Sequence, residues 1–538
     1  MSLIDLLIFI IYMIGVLGIG YYFYLRNKTS DDYYVGGRKI GSVHVGLSVV
    51  ATDVGGGFSI GLGGLGFIMG LSGSWMLFTG LLGAWLAAVF LIPKVRGNPA
   101  FDKFQTFPQI FGHHYGATVA LLAGIISAIG YAGFTSSQLL AGAKLADGAF
   151  VTVDLQTALI VMGIVAVVYT VMGGLKAVIY TDTFQWIILM SGLIFIGIPI
   201  SYFAVGGIEG IREVVQPRHL SLTNISWQTF VNWGLTIIPI WFVGMTLYQR
   251  IFACRDEKSA KRAWYLAGIF EYPIMAFMGV LLGLFARVAA DQGMFVELGA
   301  MDMEEVDPET GLPMLLRHVM PVGLLGLILA AYFSAILSTA DSCLMASSGN
   351  VVTDVLGKWR KAKWLPQSEI RLSQLVTLVI GILALLLAMT ITNVIDLMLR
   401  SYSFMVAGLF VPVIGALYWR KSSSMGALLS MITGGVITMF LSIYLVELGY
   451  GMERAAIEAR LAELEGYFPQ LAALDPSDLT NFQLIAAINA YKPVVVEPLG
   501  LQFTLPLGLD PIVFGILFAA IVFVVGSYLF PGNQLQRA

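Results

Sequence analysis

Apolar residues run along this chain in blocks of about twenty, separated by short polar loops, without the two-residue alternation of half-buried strands. Thirteen blocks can be read, near residues 3–25, 42–71, 74–97, 117–145, 154–174, 180–205, 229–252, 262–288, 314–346, 369–392, 394–419, 424–447 and 509–530. A helix of about 20 residues crosses the hydrocarbon layer of a bilayer, so the pattern predicts an all-α membrane protein with about 13 transmembrane helices. The first block lacks a basic segment before it and a small-residue cleavage pattern after it, and is read as a retained helix.

The loops between the blocks give the direction. With the N-terminus outside, 21 Lys and Arg fall on inner loops, Arg38, Lys94, Arg250, Arg255, Lys358 and Arg420 among them, against seven outside. The excess of cytoplasmic Lys and Arg predicts an N-terminus outside and a C-terminus in the cytoplasm, with the chain multipass in the plasma membrane. The outer stretch 291–309 has the opposite character, with seven Asp and Glu and no Lys or Arg. It is either an acidic vestibule that concentrates cations or a solvated loop. A longer outer insert, 449–508, contains apolar residues at helical spacing (Ile457, Leu461, Leu464, Phe468, Leu471), which predicts an amphipathic helix on the outer face.

Composition narrows the function. Charged residues make up 12% of the 538, where a soluble chain carries about a quarter, which excludes an ordinary soluble enzyme and a disordered scaffold. A net charge of -3 leaves no basic excess for nucleic acid, and Cys254 and Cys343 suggest no disulfide framework. No HExxH, CxxC or P-loop is present. Residues 57–61 match GxSxG and 61–66 match GxGxxG by letter only, because both lie inside an apolar run with no strand before them. No enzyme is expected.

Three features carry candidate chemistry. In the second block, Ala51-Thr52-Asp53-Val54-Gly55-Gly56-Gly57 should interrupt the helix, since each interior glycine costs about 1 kcal/mol relative to alanine and lipid offers loosened carbonyls no water. Neutral backbone oxygens at Ala51 and Val54 suit a small alkali cation. Five blocks later, Pro239 and Gly244 mark a second interruption at similar depth, and such a pair points to a transporter's binding site. In the ninth block Ala335, Ser338, Thr339 and Ser342 follow i, i+3, i+4, i+7 spacing, a hydroxyl stripe that is either ordinary back-bonding to the helix or a set of ligands. Asp341 beside it favours an ion path, because a carboxylate inside a membrane is costly. Asp182, at the start of the sixth block, reads first as a helix cap. Asp53 sits in the break itself. Tyr131 and Gln138, with Thr135, Ser136 and Ser137, place polar groups on the fourth block. Arg400 follows Asp396 at i+4, either as a surface helix pair or as an anchor for a solute carboxylate. Glu271 and Lys144 read as helix-end or packing charges.

The motifs YYVGGRKIG, ATDVGGG, GGLKAVIYTDTFQ, LYQRIFACRDEKSAKRA and AAYFSAILSTADSCLMASS together resemble the sodium:solute symporter family over nearly the whole chain, nearest in motif to its choline-transporter-like and proline-symporter-like branches. The resemblance implies a single multipass domain of the LeuT-type fold. Two inverted five-helix repeats would cover 42–205 and 229–419, with the extra helix 3–25 before them and two more at 424–530 after. It implies a principal sodium site from the carbonyls of Ala51, Val54 and Ala335 and the hydroxyls of Ser338 and Thr339. A second sodium, bound by some members, would map to Asp182, Ser338, Asp341 and Ser342. Asp341 replaces a hydroxyl found in some of those members. The solute pocket would draw on Asp53, Phe58, Tyr131, Gln138 and Arg400. Choline is disfavoured, since Trp residues of that branch give way to Asp53 and Gly244, and a quaternary ammonium needs aromatic faces.

The expected function is sodium-coupled symport of a small polar solute, an amino acid or organic acid, by alternating access. The partners are the solute, the sodium ion and the lipid bilayer. Proton coupling through Asp341 or Asp182, or a sensor that binds without transport, are the alternatives.

Overall fold

The computed structural model describes residues 2–25, 30–150, 153–172, 175–298, 306–359, 368–391, 393–442 and 505–531. The insert helix expected at 452–474 lies outside these residues. Among the described residues the chain is helical, with one isolated backbone bridge between Ile40 and Cys254.

The long helices are α1 (Leu3–Tyr24), α2 (Ser42–Met69), α3 (Trp75–Leu86, prolonged through a π turn to Val95), α4 (Ala117–Ala149), α5 (Leu155–Met172) and α6 (Leu175–Gly192, prolonged to Ala204). They continue as α7 (Trp227–Val243), α8 (Met245–Ala253), α9 (Glu257–Ile269), α10 (Ala276–Asp291), α11 (Pro308–Val319) and α12 (Leu324–Asn350). The last are α13 (Glu369–Ala388), α14 (Val394–Tyr418), α15 (Ser424–Ser442) and α16 (Pro511–Leu529). By length and apolarity ten helices among the described residues are able to cross a membrane, or eleven when α7 and α8, bent by 43°, count as one span. The thirteen blocks read from the sequence exceed this number partly because α5 is short and the second and third blocks share one apolar window. The block 314–346 also divides: α11 ends at Val319, and Gly323, at φ 89°, lets the chain turn before α12 begins.

Two kinds of surface follow from the apolar composition. The outer side chains of α1, such as Ile11 and Ile14, are exposed, as a lipid-facing helix requires, while α12 is buried along most of its length. α12 lies against α4, α6, α2 and α1, and α10 packs closely on α2. α1 is fastened through Asp5, whose Oδ1 accepts the backbone N–H of Gly323 (2.6 Å) and Gly326 (2.9 Å) and so caps the first turn of α12. Near the end of α4, Lys144 donates to Asp307 (2.7 Å) and Glu309 (2.5 Å), and Glu309 accepts the N–H of Val394 (3.0 Å) at the start of α14. Two members of the acidic stretch 291–309 are therefore structural ligands, already paired with a cation of the chain.

Candidate functional site

The glycine run of α2 breaks the helix at one residue. Gly55 stands at φ 38°, ψ -160°, a conformation open only to glycine, and a Cβ there would meet Thr339 and Gln138 at 2.7–2.9 Å. The N–H of Gly56, freed by the break, donates to Gln138 Oε1 on α4 (2.9 Å), and Ser59 returns a hydroxyl to the Gly55 carbonyl (2.7 Å). The second break separates α7 from α8 at Gly244, with Pro239 inside α7. There the N–H of Thr246 donates to the Tyr131 hydroxyl (3.2 Å), which is also 3.0 Å from Thr246 Oγ1. Tyr131 and Gln138 are two helical turns apart on one face of α4, so a single helix face holds the freed backbone of both breaks. Their neighbours Thr135, Ser136 and Ser137 bond back to carbonyls of their own helix.

The hydroxyl stripe of α12 meets the first break. Thr339 Oγ1 lies 3.1 Å from the carbonyl oxygen of Ala51 and 3.2 Å from that of Ala335, and the residue is almost wholly buried. Two carbonyls and a hydroxyl converge here from a loosened helix and its neighbour, a neutral, hard-oxygen set of the kind that coordinates sodium in broken-helix transporters. Ser338, on the adjacent face, donates to Asp182.

Asp182 is not a cap. α6 begins at Leu175, which puts Asp182 two turns inside the helix, buried, with its carboxylate accepting from both Ser48 of α2 and Ser338 of α12. Arg250 of α8 completes the group. Its guanidinium is fully buried; Nε donates to Ser48 Oγ (3.0 Å), Nη1 to the Thr246 carbonyl (3.2 Å), and Nη2 to Ser342 Oγ (3.0 Å) and Thr52 Oγ1. Nη2 is 3.5 Å from Asp182 Oδ2. One side chain thus joins both broken spans to α6 and α12. Asp341, also fully buried, is directed toward Tyr169 and Thr170 of α5. On the other side of the break, Asp53 faces Glu271, buried in the π turn between α9 and α10.

The profile of the sodium:solute symporter family matches residues 33–434, about three quarters of the chain. The chain belongs to that family. It is 28% identical over 472 residues to the high-affinity proline transporter PutP of Bacillus subtilis, covering 85% of this chain and 97% of that one. It is 26% identical to sodium/proline symporter 2 of Staphylococcus saprophyticus, covering 81% and 85%. Among solved structures, a Na+-coupled sialic acid symporter in a substrate-bound outward-open state superimposes with a TM-score of 0.71 at 21% identity, covering 99% of both chains. The fold is therefore LeuT-type, and the chain is a sodium-coupled symporter of a small organic solute, not an enzyme.

The symporter's geometry sorts the sequence candidates. Ala51, Ala335 and Thr339 are brought together; Ser338 and Ser342 lie beside them but engage Asp182 and Arg250. Asp53, Tyr131 and Gln138 surround the breaks, while the side chains of Val54 and Phe58 lie outside the described part of the structure. Arg400 is not delivered to this constellation. It is exposed in the second turn of α14, where with Asp396, Ser403, Ser442 and Asp510 it lines a recess of about 300 Å³. The stretch 394–400 is a single helix from Val394, so helical register points Arg400 away from the breaks.

Two residues were underweighted by sequence reasoning. Arg250 was counted among inner-loop charges, yet it is buried in the bundle; removing it from that count leaves the inward excess intact. The available signal was an arginine continuing an apolar half-helix with acidic Asp182 elsewhere inside a span. Glu271, which the sequence presents as a helix-end or packing charge, is wholly buried beside Asp53.

Proposed function

We propose that this symporter carries a small amino acid into the cell with sodium bound between the broken α2 and α12. The ligands in this reading are the carbonyls of Ala51, Val54 and Ala335 and the hydroxyls of Ser338 and Thr339. The observation that carries it is the meeting of Thr339 Oγ1 with the Ala51 and Ala335 carbonyls beside the Gly55 break. A cation there ties the half-helix to α12 and orders the solute pocket on the far side of the break, and its loss to the cytoplasm releases both. The N-terminus lies outside and the C-terminus inside, the inverted repeats cover 42–205 and 229–419, and the flanking segments 3–25 and 424–530 support them.

An amine-bearing solute fits better than an organic acid. Among the described residues the buried cations of the bundle, Arg250 and Lys144, are engaged with Asp182 and with Asp307 and Glu309. The break presents the buried acids Asp53 and Glu271, which can pair with an amine, and with those two cations already engaged an anionic solute would find no buried counter-charge there. Tyr131, Gln138 and the aromatic pair Phe134 and Tyr402, with ring centroids 4.9 Å apart, stand on the adjoining faces of α4 and α14. The proline carriers among the relatives agree with a small amino acid.

In reconstituted vesicles, radiolabelled proline and other small amino acids should accumulate only under an inward sodium gradient, and dicarboxylates should neither accumulate nor compete. Accumulation driven equally by a pH gradient in sodium-free buffer would contradict the reading.

A further inference from the structure

Three charged side chains share the recess beside Arg400 without pairing. α14 begins there at Val394, α15 ends there at Ser442 and α16 begins there at Pro511, so the recess lies at one face of the bundle, away from both breaks. Its wall carries one cation, Arg400, two acids, Asp396 and Asp510, and the serines Ser403 and Ser442, around about 300 Å³. Asp396 and Arg400 are four residues apart on α14, the spacing at which opposite charges ordinarily meet on a helix. Yet among the described residues neither of them, nor Asp510, forms an ion pair. The two acids sense one another: partial burial and the negative charge of Asp396 hold the Asp510 carboxyl above the usual carboxylate range.

The backbone fixes the frame around these groups. Asn393 caps α14 by accepting the N–H of Asp396 (2.8 Å), and Glu309 accepts that of Val394. On the opposite wall, the N–H of Asp510 donates to Asn232 Oδ1 of α7 (3.1 Å). The recess is at the lower end of the volumes that small-molecule sites occupy. Two neighbouring carboxylates favour a cation between them, and a guanidinium left without a carboxylate favours an anion with paired oxygens. A ligand bearing both charges a few bonds apart satisfies all three groups. A purely anionic ligand would face the two acids, and a purely cationic one the guanidinium.

We propose that this recess is a second, sodium-independent binding site for a zwitterionic amino acid, with its carboxylate on Arg400 and its ammonium between Asp396 and Asp510. It lies apart from the solute pocket at the breaks and takes a ligand of the same chemical class.

The test is equilibrium dialysis of radiolabelled proline against the purified full-length chain in sodium-free potassium buffer. The wild type should bind one proline per chain, and Arg400→Gln and Asp510→Asn should each weaken that binding tenfold or more. Pyrrolidine and cyclopentanecarboxylate, which each keep one of the two charges, should compete at least tenfold less well than unlabelled proline. No saturable binding in potassium would overturn the proposal, as would binding that persists unchanged in Arg400→Gln. Equal competition by either single-charge analogue would overturn it too, and that comparison needs only the wild type should a variant fail to fold. Adding sodium should raise the count to two through the site at the breaks. A count that stays at one in sodium would count against the sodium reading and leave this inference standing, which separates the two failures.

Discussion

The two helix breaks occupy matching places, five spans apart, but they are held open by different physics. At Gly55 the backbone adopts a positive φ that side-chain-bearing residues avoid, and the space a Cβ would need is taken by Thr339 and Gln138. At Gly244 the backbone is ordinary, with φ -67° and ψ 112°, and a Cβ would meet its neighbours at 3.0–3.1 Å, tight but within small adjustments. The first break is an obligatory conformation wrapped around an oxygen cluster. The second is a bend supported by Tyr131 and permitted by Pro239. The proposed ion site is placed at the first because there a hydroxyl of a neighbouring helix, Thr339, meets the carbonyl of Ala51, whereas at the second the Phe242 carbonyl is taken by Tyr248 of the same broken span.

Substitutions can break this asymmetry, and the largest effect is expected at Gly55. Gly55→Ala combines a disfavoured conformation with overlap in a packed core, a cost of about 2–5 kcal/mol, and should abolish uptake and lower the unfolding temperature in detergent by several degrees. Equal stability and activity would show that the break is not obligatory. Next, Thr339→Ala removes the hydroxyl at the centre of the cluster and should raise the sodium concentration for half-maximal uptake by about tenfold or more, from the loss of a bond to a charged group. An unchanged sodium dependence with normal expression counts against the site. Gln138→Leu strands the N–H of Gly56 and Tyr131→Phe that of Thr246, so each should destabilise by about 1–3 kcal/mol in thermal unfolding, and a neutral outcome for either would show that its break needs no such support. The smallest change is expected for Gly244→Ala, with a cost under about 1 kcal/mol and uptake retained.

Local features were legible in the sequence and distant pairings were not. The apolar blocks showed the bundle because lipid demands long uninterrupted runs, and the glycine run and Gly244 showed both breaks because helix interiors rarely tolerate them. The hydroxyl stripe was visible as spacing on one helix, but its division was hidden: Thr339 turns to Ala51, Ser338 to Asp182 and Ser342 to Arg250. Asp182 looked like a cap because the apolar run suggested a start near residue 180, while the helix begins at Leu175 among more polar residues. Arg250 looked like a loop charge because the inner-surface rule assigns cations at span ends to the cytoplasm. Its partners Ser48, Thr52, Asp182 and Ser342 come from three other helices, and no local periodicity announces a contact between residues so far apart in the chain. Arg400 shows the converse, since its i+4 relation to Asp396 is a property of the first turns of α14 and its place relative to the breaks depended on where that helix starts.

The most direct test of the central claim needs no knowledge of the solute: the unfolding temperature of the purified chain in sodium against the same concentration of potassium, for wild type and Thr339→Ala. An ion that binds only the folded form stabilises it by mass action. The account predicts a rise with sodium and none with potassium in the wild type, and loss of the sodium effect in Thr339→Ala. An equal rise with potassium, or a sodium effect that survives in Thr339→Ala, would contradict it.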